Sequence, residues 1–276
     1  MNVKETDAAS SPQVRFALEL RRSRRARGWS QVELGRRMGY SNALVSYIER
    51  VKRPPSRKFA VKADELFETG GTFVELWRRC AAAALLEGFP EFADAEARCI
   101  RLREFELTVV PGLFQVPSYA AALASAAVER GAITQDEADE RIGYLAARQR
   151  LLEQKSPPII QTVMDQSCLV RPVGGPSVML EQFHHLEELA TRPNITLQVA
   201  PFELGEHLPF TMPVVLLTLP NRQLVGYAES QARGHLERAR DTLAAWERAY
   251  DHLQVEALSK TASLALIRKA RKDLLS

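Results

Sequence analysis

The chain has 276 residues, 46% of them hydrophobic and 26% charged, with a formal net charge of +3; that length predicts two domains, one small and one of roughly 150 to 200 residues. No apolar run approaches the ~20 residues of a membrane-spanning helix, so none is expected. Three cysteines, Cys80, Cys99 and Cys168, are odd in number and widely spaced, which argues against a disulfide framework and predicts reduced thiols in a cytoplasmic protein.

The opening MNVKETDAASSP is polar, lacks the apolar core of a signal peptide and predicts a disordered tail over 1–12. Charge is unevenly placed. From Arg15 to Lys58 there are thirteen Lys or Arg against three acids, Glu19, Glu33 and Glu49, a local balance of +10 that leaves −7 for the rest. A basic unit joined to an acidic remainder predicts a polyanion partner for the first unit alone, because each phosphate it neutralises releases condensed counterions.

Phe16, Leu18 and Leu20 start a first helix that ends near Gly28. Ser30 is a good N-cap, and Glu33 three residues later predicts a capping box for a second helix over 31–38, with Leu34 and Met38 as its apolar stripe. Gly39 follows, where a left-handed turn is easiest for glycine. Ser41 then caps a third helix over 42–50, its inward positions Leu44 or Val45 and Ile48. Two short helices about a glycine turn form a helix-turn-helix, whose later helix enters the major groove of DNA.

The run RRSRRARGWSQVELGRRMGYSNALVSYIERVKRPPS resembles the Xre-type, lambda-repressor-like helix-turn-helix of bacterial and phage repressors. The resemblance covers about residues 15 to 68. It implies that Gln31 binds a backbone phosphate, that Asn42, Ala43, Ser46 and Tyr47 face the groove, and that Arg24 and Glu49 form a structural ion pair. Asn42 can then pair with an adenine edge and Ala43 can touch a thymine methyl, while Ser46 and Tyr47 are less specific. Arg36, Arg37, Lys52, Arg53, Arg57 and Lys58 would position the protein on the DNA backbone. Two residues depart from the family pattern. Gly35 stands where alanine is usual, and Val51 where glycine usually follows the recognition helix.

Next, RKFAVKADELFETGGTFVELWRRCAAAALLEG predicts two helices broken at Gly70 and Gly71. The first closes the DNA-binding core with Phe59, Ala63, Leu66 and Phe67; the second, with Phe73, Leu76 and Trp77, leads out as a linker or dimer helix. The domain boundaries that follow are a helix-turn-helix domain over 13–70, a helical linker over 71–104 and a C-terminal domain over 105–276.

Strand-like stretches there are LTVV (107–110), IIQTVM (159–164), ITLQVA (195–200), VVLLTL (214–219) and LVGYAE (224–229); helical ones cover about 118–129, 134–154, 177–191, 232–257 and 259–273. PNRQ between the last two strands predicts an antiparallel hairpin. The result is an α+β domain, its sheet mostly antiparallel with helices to one side. Its histidines, His184, His185, His207, His235 and His252, lack metal-binding spacing, and no catalytic motif is present. No cofactor, metal or enzymatic activity is therefore expected. VGGPS (173–177) is a glycine turn before a helix, which its proline favours over an anion site. Asp165, Glu203, Glu206 and Glu229 are candidate pocket acids, with solvated loops as the plainer account.

The runs VVPGLFQVPSYAAAL, RQRLL, MDQSCLVRPVGGPSVMLEQFHHL, NITLQVAPFELGEH and YDHLQVEALSK resemble the C-terminal domain of a group of actinobacterial Xre regulators described as antitoxin-like, including those similar to WhiJ. The resemblance covers about residues 105 to 270. It implies a transcription regulator whose large domain binds a small protein encoded next to it, in some cases as toxin and antitoxin; a homodimer on two-fold or repeated DNA is the expected assembly. Gln166 departs from it, since an acid commonly follows Asp165. The alternative is a sensor whose C-terminal domain holds a small-molecule ligand.

Overall fold

The computed structural model describes residues 12–84, 88–230 and 234–275, without the side chains of 81–84. The tail expected over 1–12 lies outside the described residues except for Pro12. The chain divides into two compact units, Met1–Leu85 and Leu86–Ser276.

Among the described residues the first unit has five helices: α1 (Pro12–Ala26), α2 (Gln31–Met38), α3 (Asn42–Glu49), α4 (Arg57–Phe67) and α5 (Thr72–Ala84). Ser30, Ser41 and Ser56 each cap a helix by accepting the backbone N–H three residues on, at 3.1, 3.2 and 3.2 Å. The expected capping box is half made. Ser30 accepts from Glu33, but the Glu33 carboxylate turns to Arg36 and Arg37, because charge-assisted bonds outcompete a backbone amide. Gly39 takes the left-handed turn at φ 70°.

Phe16, Leu20, Leu34, Val45, Ile48 and Phe59 fill the core. Leu18 does not join them; it is exposed, and Ala17 and Arg24 take the inward positions of α1 with Phe16 and Leu20. Nor does α5 lead outwards. Phe73 is buried edge-on against Phe16 at 5.4 Å and lies 5.7 Å from Phe67, so this helix seals the core between α1 and α4. Periodicity shows that a helix has an apolar face but not what that face meets.

The second unit is built on one six-stranded mixed sheet: β1 (Arg101–Glu106), β2 (Ile159–Asp165), β3 (Ile195–Ala200), β4 (Val214–Thr218), β5 (Leu224–Glu229) and β6 (Gly234–Glu237), in the order β3-β2-β1-β4-β5-β6. β1, β2 and β3 run parallel; the β1–β4, β4–β5 and β5–β6 pairings are antiparallel. The β4–β5 hairpin is as expected. Its helices are α6 (Phe89–Glu96), α7 (Pro117–Glu129), α8 (Gln135–Gln149), the single turn α9 (Ser167–Val170), α10 (Pro176–Leu189), α11 (Arg240–Glu256) and α12 (Lys260–Asp273). The stretch 71–104 read as a linker thus holds α5 of the first unit and α6 and the start of β1 of the second.

Three sequence expectations are corrected here. The first strand is RLREFE, not LTVV. Leu102 and Phe105 are buried in different clusters, and the charges between them hid the strand. β6 occupies part of the span expected to be helical from 232, and α11 begins at Arg240. Helices also cover both faces of the sheet, not one. Leu102, Ile160, Leu197 and Leu217 pack with residues of α6, α7, α10 and α12, while Phe105, Val163 and Leu216 pack with Leu243, Tyr250 and Leu253 of α11.

Candidate nucleic-acid interface

The helix α3 is fixed from behind by a polar knot. Arg24 of α1 donates through Nε to Oε1 of Glu49 at 2.6 Å and through Nη2 to Oε2 at 2.8 Å, and its Nη1 reaches the Trp29 carbonyl at 2.8 Å. Arg21 adds a bond to the Glu49 carbonyl at 2.6 Å. Glu49 is 2% exposed. Burial alone would raise its carboxyl, but the hydrogen bonds from Arg24 and Gln31 and the charges of Arg24 and Arg21 hold it below the ordinary range. The Glu49 bond in turn raises the Arg24 guanidinium, against burial. The ion pair expected from the sequence is therefore present.

Gln31 belongs to this knot. Its amide donates to Oε2 of Glu49 at 2.8 Å, which ties the N-terminus of α2 to the C-terminus of α3. Gly35 explains its own departure from alanine: a Cβ there would sit 2.7 Å from the Tyr40 carbonyl oxygen. The turn closes too tightly on α2 for a methyl group.

With the inner side of α3 so held, Asn42, Ala43 and Tyr47 are exposed and Ser46 is half-buried. Ser46 is also engaged, since the Arg50 side chain donates to its carbonyl and its hydroxyl. Sequence reading passed over Arg50, which caps the C-terminus of the helix. Val51, next in line, adopts the left-handed conformation at φ 58°, and Lys52 donates its backbone N–H to the Tyr47 carbonyl at 2.8 Å. The glycine-type helix end thus survives without its glycine.

Lys52, Arg53, Arg57 and Lys58 are exposed along the loop and the first turn of α4, as are Arg36 and Arg37 on α2. The last two share Glu33, and Arg37 lies over the Trp29 ring at 4.5 Å. Their charge towards a polyanion is partly offset.

Residues 15–77 match the family model of a helix-turn-helix domain, and residues 89–269 match that described as a domain of unknown function, DUF5753. The chain belongs to the DUF5753 family. Comparison with curated proteins and with solved structures gave no match. The helix-turn-helix match makes this DUF5753 protein a DNA-binding regulator.

In the DUF5753 domain the run VVPGLFQVPSY leads through a short helical turn into α7 and is held by side chains rather than by a strand ladder. Gln182 bridges it, accepting from Val116 N–H at 2.9 Å and donating to the Phe114 carbonyl at 2.7 Å. Gln115 and Gln149 bond the carbonyls of Val110 and Gly112 at 2.7 and 3.0 Å, and Tyr119 accepts from Val110 N–H. Gln166 likewise accepts from Phe202 N–H at 3.1 Å, joining the ends of β2 and β3. VGGPS is a turn, with Gly174 and Gly175 both at positive φ.

The acids named from the sequence have separate roles. Asp165 accepts from Ser167 N–H at 2.8 Å, Glu229 accepts from the Tyr227 hydroxyl at 2.7 Å, and Glu203 and Glu206 are exposed. A different set lies on the sheet and on the helices α6 and α8. Glu104 accepts from Thr162 at 2.8 Å, and Arg148 grips Glu96 with two bonds of 2.6 and 2.8 Å. Burial pushes Glu104 up to about 7; burial and the neighbouring Glu104 push Glu106 up to about 8. Burial likewise pushes the Cys99 thiol up to about 12, and Cys80 and Cys168 are buried as well. Among the described residues there is no group of His, Cys, Asp or Glu that could hold a metal ion, and no helix long and apolar enough to cross a membrane.

Proposed function

We propose that this protein is a cytoplasmic, sequence-specific transcription regulator of the Xre type. It acts as an autoregulating repressor that binds a two-fold or repeated site as a homodimer. Asn42, Ala43 and Tyr47 read bases, Lys52, Arg53, Arg57 and Lys58 contact phosphates, and Arg36 and Arg37 assist where Glu33 releases them. Ser46 and Gln31 serve the reading helix mainly through their partners inside the protein. The observation that carries this reading is the Arg24–Glu49–Gln31 knot, which locks α3 from behind and leaves its opposite side to solvent.

The DUF5753 domain, in this reading, receives a small protein encoded beside the regulator, antitoxin-like and WhiJ-like in kind. A cavity of about 190 Å³ in that domain is lined by residues including Glu96, Arg148 and Leu151.

The test is a binding titration of the full chain on its own upstream DNA and on random DNA, at two salt concentrations, with and without the neighbouring small protein. Preference for the upstream DNA, shifted by the neighbour, supports the reading. Equal affinity for both DNAs removes the repressor assignment, and binding that ignores the neighbour removes the partner.

A further inference from the structure

Arg50 caps the C-terminus of α3, yet its side chain folds back over the last turn of the helix. Nε lies 3.3 Å from the Ser46 carbonyl oxygen and Nη2 is bonded to the Ser46 hydroxyl. Long side chains on a helix lean towards its N-terminus, so residue 50 covers residue 46, four positions earlier. Ser46 in turn follows Asn42 by four. Asn42, Ser46 and the Arg50 guanidinium therefore form one row, in which Asn42 and Arg50 are exposed and Ser46 is half-buried beneath the guanidinium.

Four arginines near α3 are tied to acids, Arg21 and Arg24 to Glu49 and Arg36 and Arg37 to Glu33. Among the described residues Arg50 makes its two side-chain bonds to neutral atoms of Ser46, so its planar fork is held in place without a carboxylate partner. A fixed guanidinium presents paired N–H donors that match O6 and N7 of guanine, the commonest specific contact of arginine in the major groove. Holding it beforehand lowers the entropy lost on binding. A serine hydroxyl in the same place offers one rotating O–H that serves any base.

We infer that Arg50, anchored by Ser46, reads a guanine, and that Ser46 is a positioning residue rather than a base reader. This rests on the placement of α3 in the major groove proposed above. The fork sits level with Ser46, one helical turn or about 5.4 Å from Asn42. The guanine therefore lies about two base-pair steps of ~3.4 Å from the base that Asn42 reads.

The experiment is selection of bound duplexes from a randomised DNA library by the full chain. It is followed by competition at two salt concentrations between the selected site and versions with each base changed, for the wild type, Arg50→Ala, Arg50→Lys and Ser46→Ala. Thermal melts confirm that each variant is folded. The wild type should prefer guanine at one position by ~10-fold or more. Arg50→Ala should erase that preference while leaving the others. Arg50→Lys should keep affinity for random DNA yet lose most of the guanine preference, because an ammonium has no fork. Ser46→Ala should lower it a few-fold with random-DNA affinity unchanged. If Arg50→Ala weakens all sequences alike and flattens the salt slope, Arg50 is a phosphate contact and the inference fails alone. If the wild type selects no sequence, the groove placement fails with it.

Discussion

Glu49 receives three side-chain hydrogen bonds on its carboxylate, two from Arg24 and one from Gln31, so the residue that ends the recognition helix also joins it to α1 and α2. Removing one side of a buried pair leaves the other charge unpaired, which costs about 3–5 kcal/mol. Arg24→Ala is expected to lower the melting temperature sharply and to abolish specific DNA binding, whereas Gln31→Ala, which removes a neutral donor, should cost about 1 to 2 kcal/mol. Equal effects of the two in denaturant unfolding would show that the knot is not centred on the ion pair.

The same pair sets an acid limit. Glu49 is held below its ordinary value of 4.5, so its contribution is present above the unfolded value and is lost as pH falls through the lowered folded value. Stability of the helix-turn-helix domain should therefore drop below about pH 4.5. Glu49→Gln should lower stability at pH 7 and remove that part of the acid slope. An unchanged slope in melts from pH 3 to 6 would place the acid sensitivity elsewhere.

Val51 is β-branched and held at φ 58°, a conformation that costs an L-residue about 1–2 kcal/mol. Val51→Gly should therefore stabilise the protein by about 1 kcal/mol after allowing for the greater freedom of glycine in the unfolded chain. Gly35→Ala should do the opposite. The methyl group gains up to about 1 kcal/mol of helix propensity, but it meets the Tyr40 carbonyl at 2.7 Å, a clash that the backbone of the turn must relieve. A stabilising Gly35→Ala in urea unfolding would show that the turn opens easily.

In the DUF5753 domain the expected pH dependence has the other sign. Glu104 is buried and pushed up to about 7, above its unfolded value, so the folded state holds a proton that the unfolded state has released. Stability should fall as pH rises from about 4.5 towards 7 and level off above, by about 1–3 kcal/mol for this group. Glu104→Gln keeps a partner for Thr162 without the charge, and should stabilise the domain at pH 8 while changing little at pH 5. Melts that show equal effects at the two pH values would mean that Glu104 is ionised throughout.

The first unit was legible because its signals are local. Ser30, Gly39 and Ser41 act within four residues of themselves, and Leu34, Met38, Val45 and Ile48 keep the helical period. What the sequence hid is pairing at a distance. Gln31 and Glu49 are 18 positions apart, Arg148 and Glu96 are 52, and Arg103 finds Glu247 across 144. β1 was misplaced for the same reason: Arg103 and Glu104 interrupt its apolar pattern, and their partners Glu247 and Thr162 come from the distant α11 and β2. Arg50 was missed although its partner is local, because a lone arginine at a helix end reads equally as phosphate contact or surface charge.

Asn42 and Lys58 separate the two kinds of DNA contact. Both are exposed, but Asn42 opens the recognition helix and can bond the N6 and N7 edge of adenine, whereas Lys58 lies in the first turn of α4 and offers a point charge. Asn42→Ala should cost about 1–3 kcal/mol on the selected site, little on random DNA, and relax preference at one position. Lys58→Ala should weaken selected and random DNA alike and reduce the salt slope by about one phosphate. Titrations of both variants on both DNAs at two salt concentrations decide it, and matching profiles for the two would withdraw the base-reading role from Asn42.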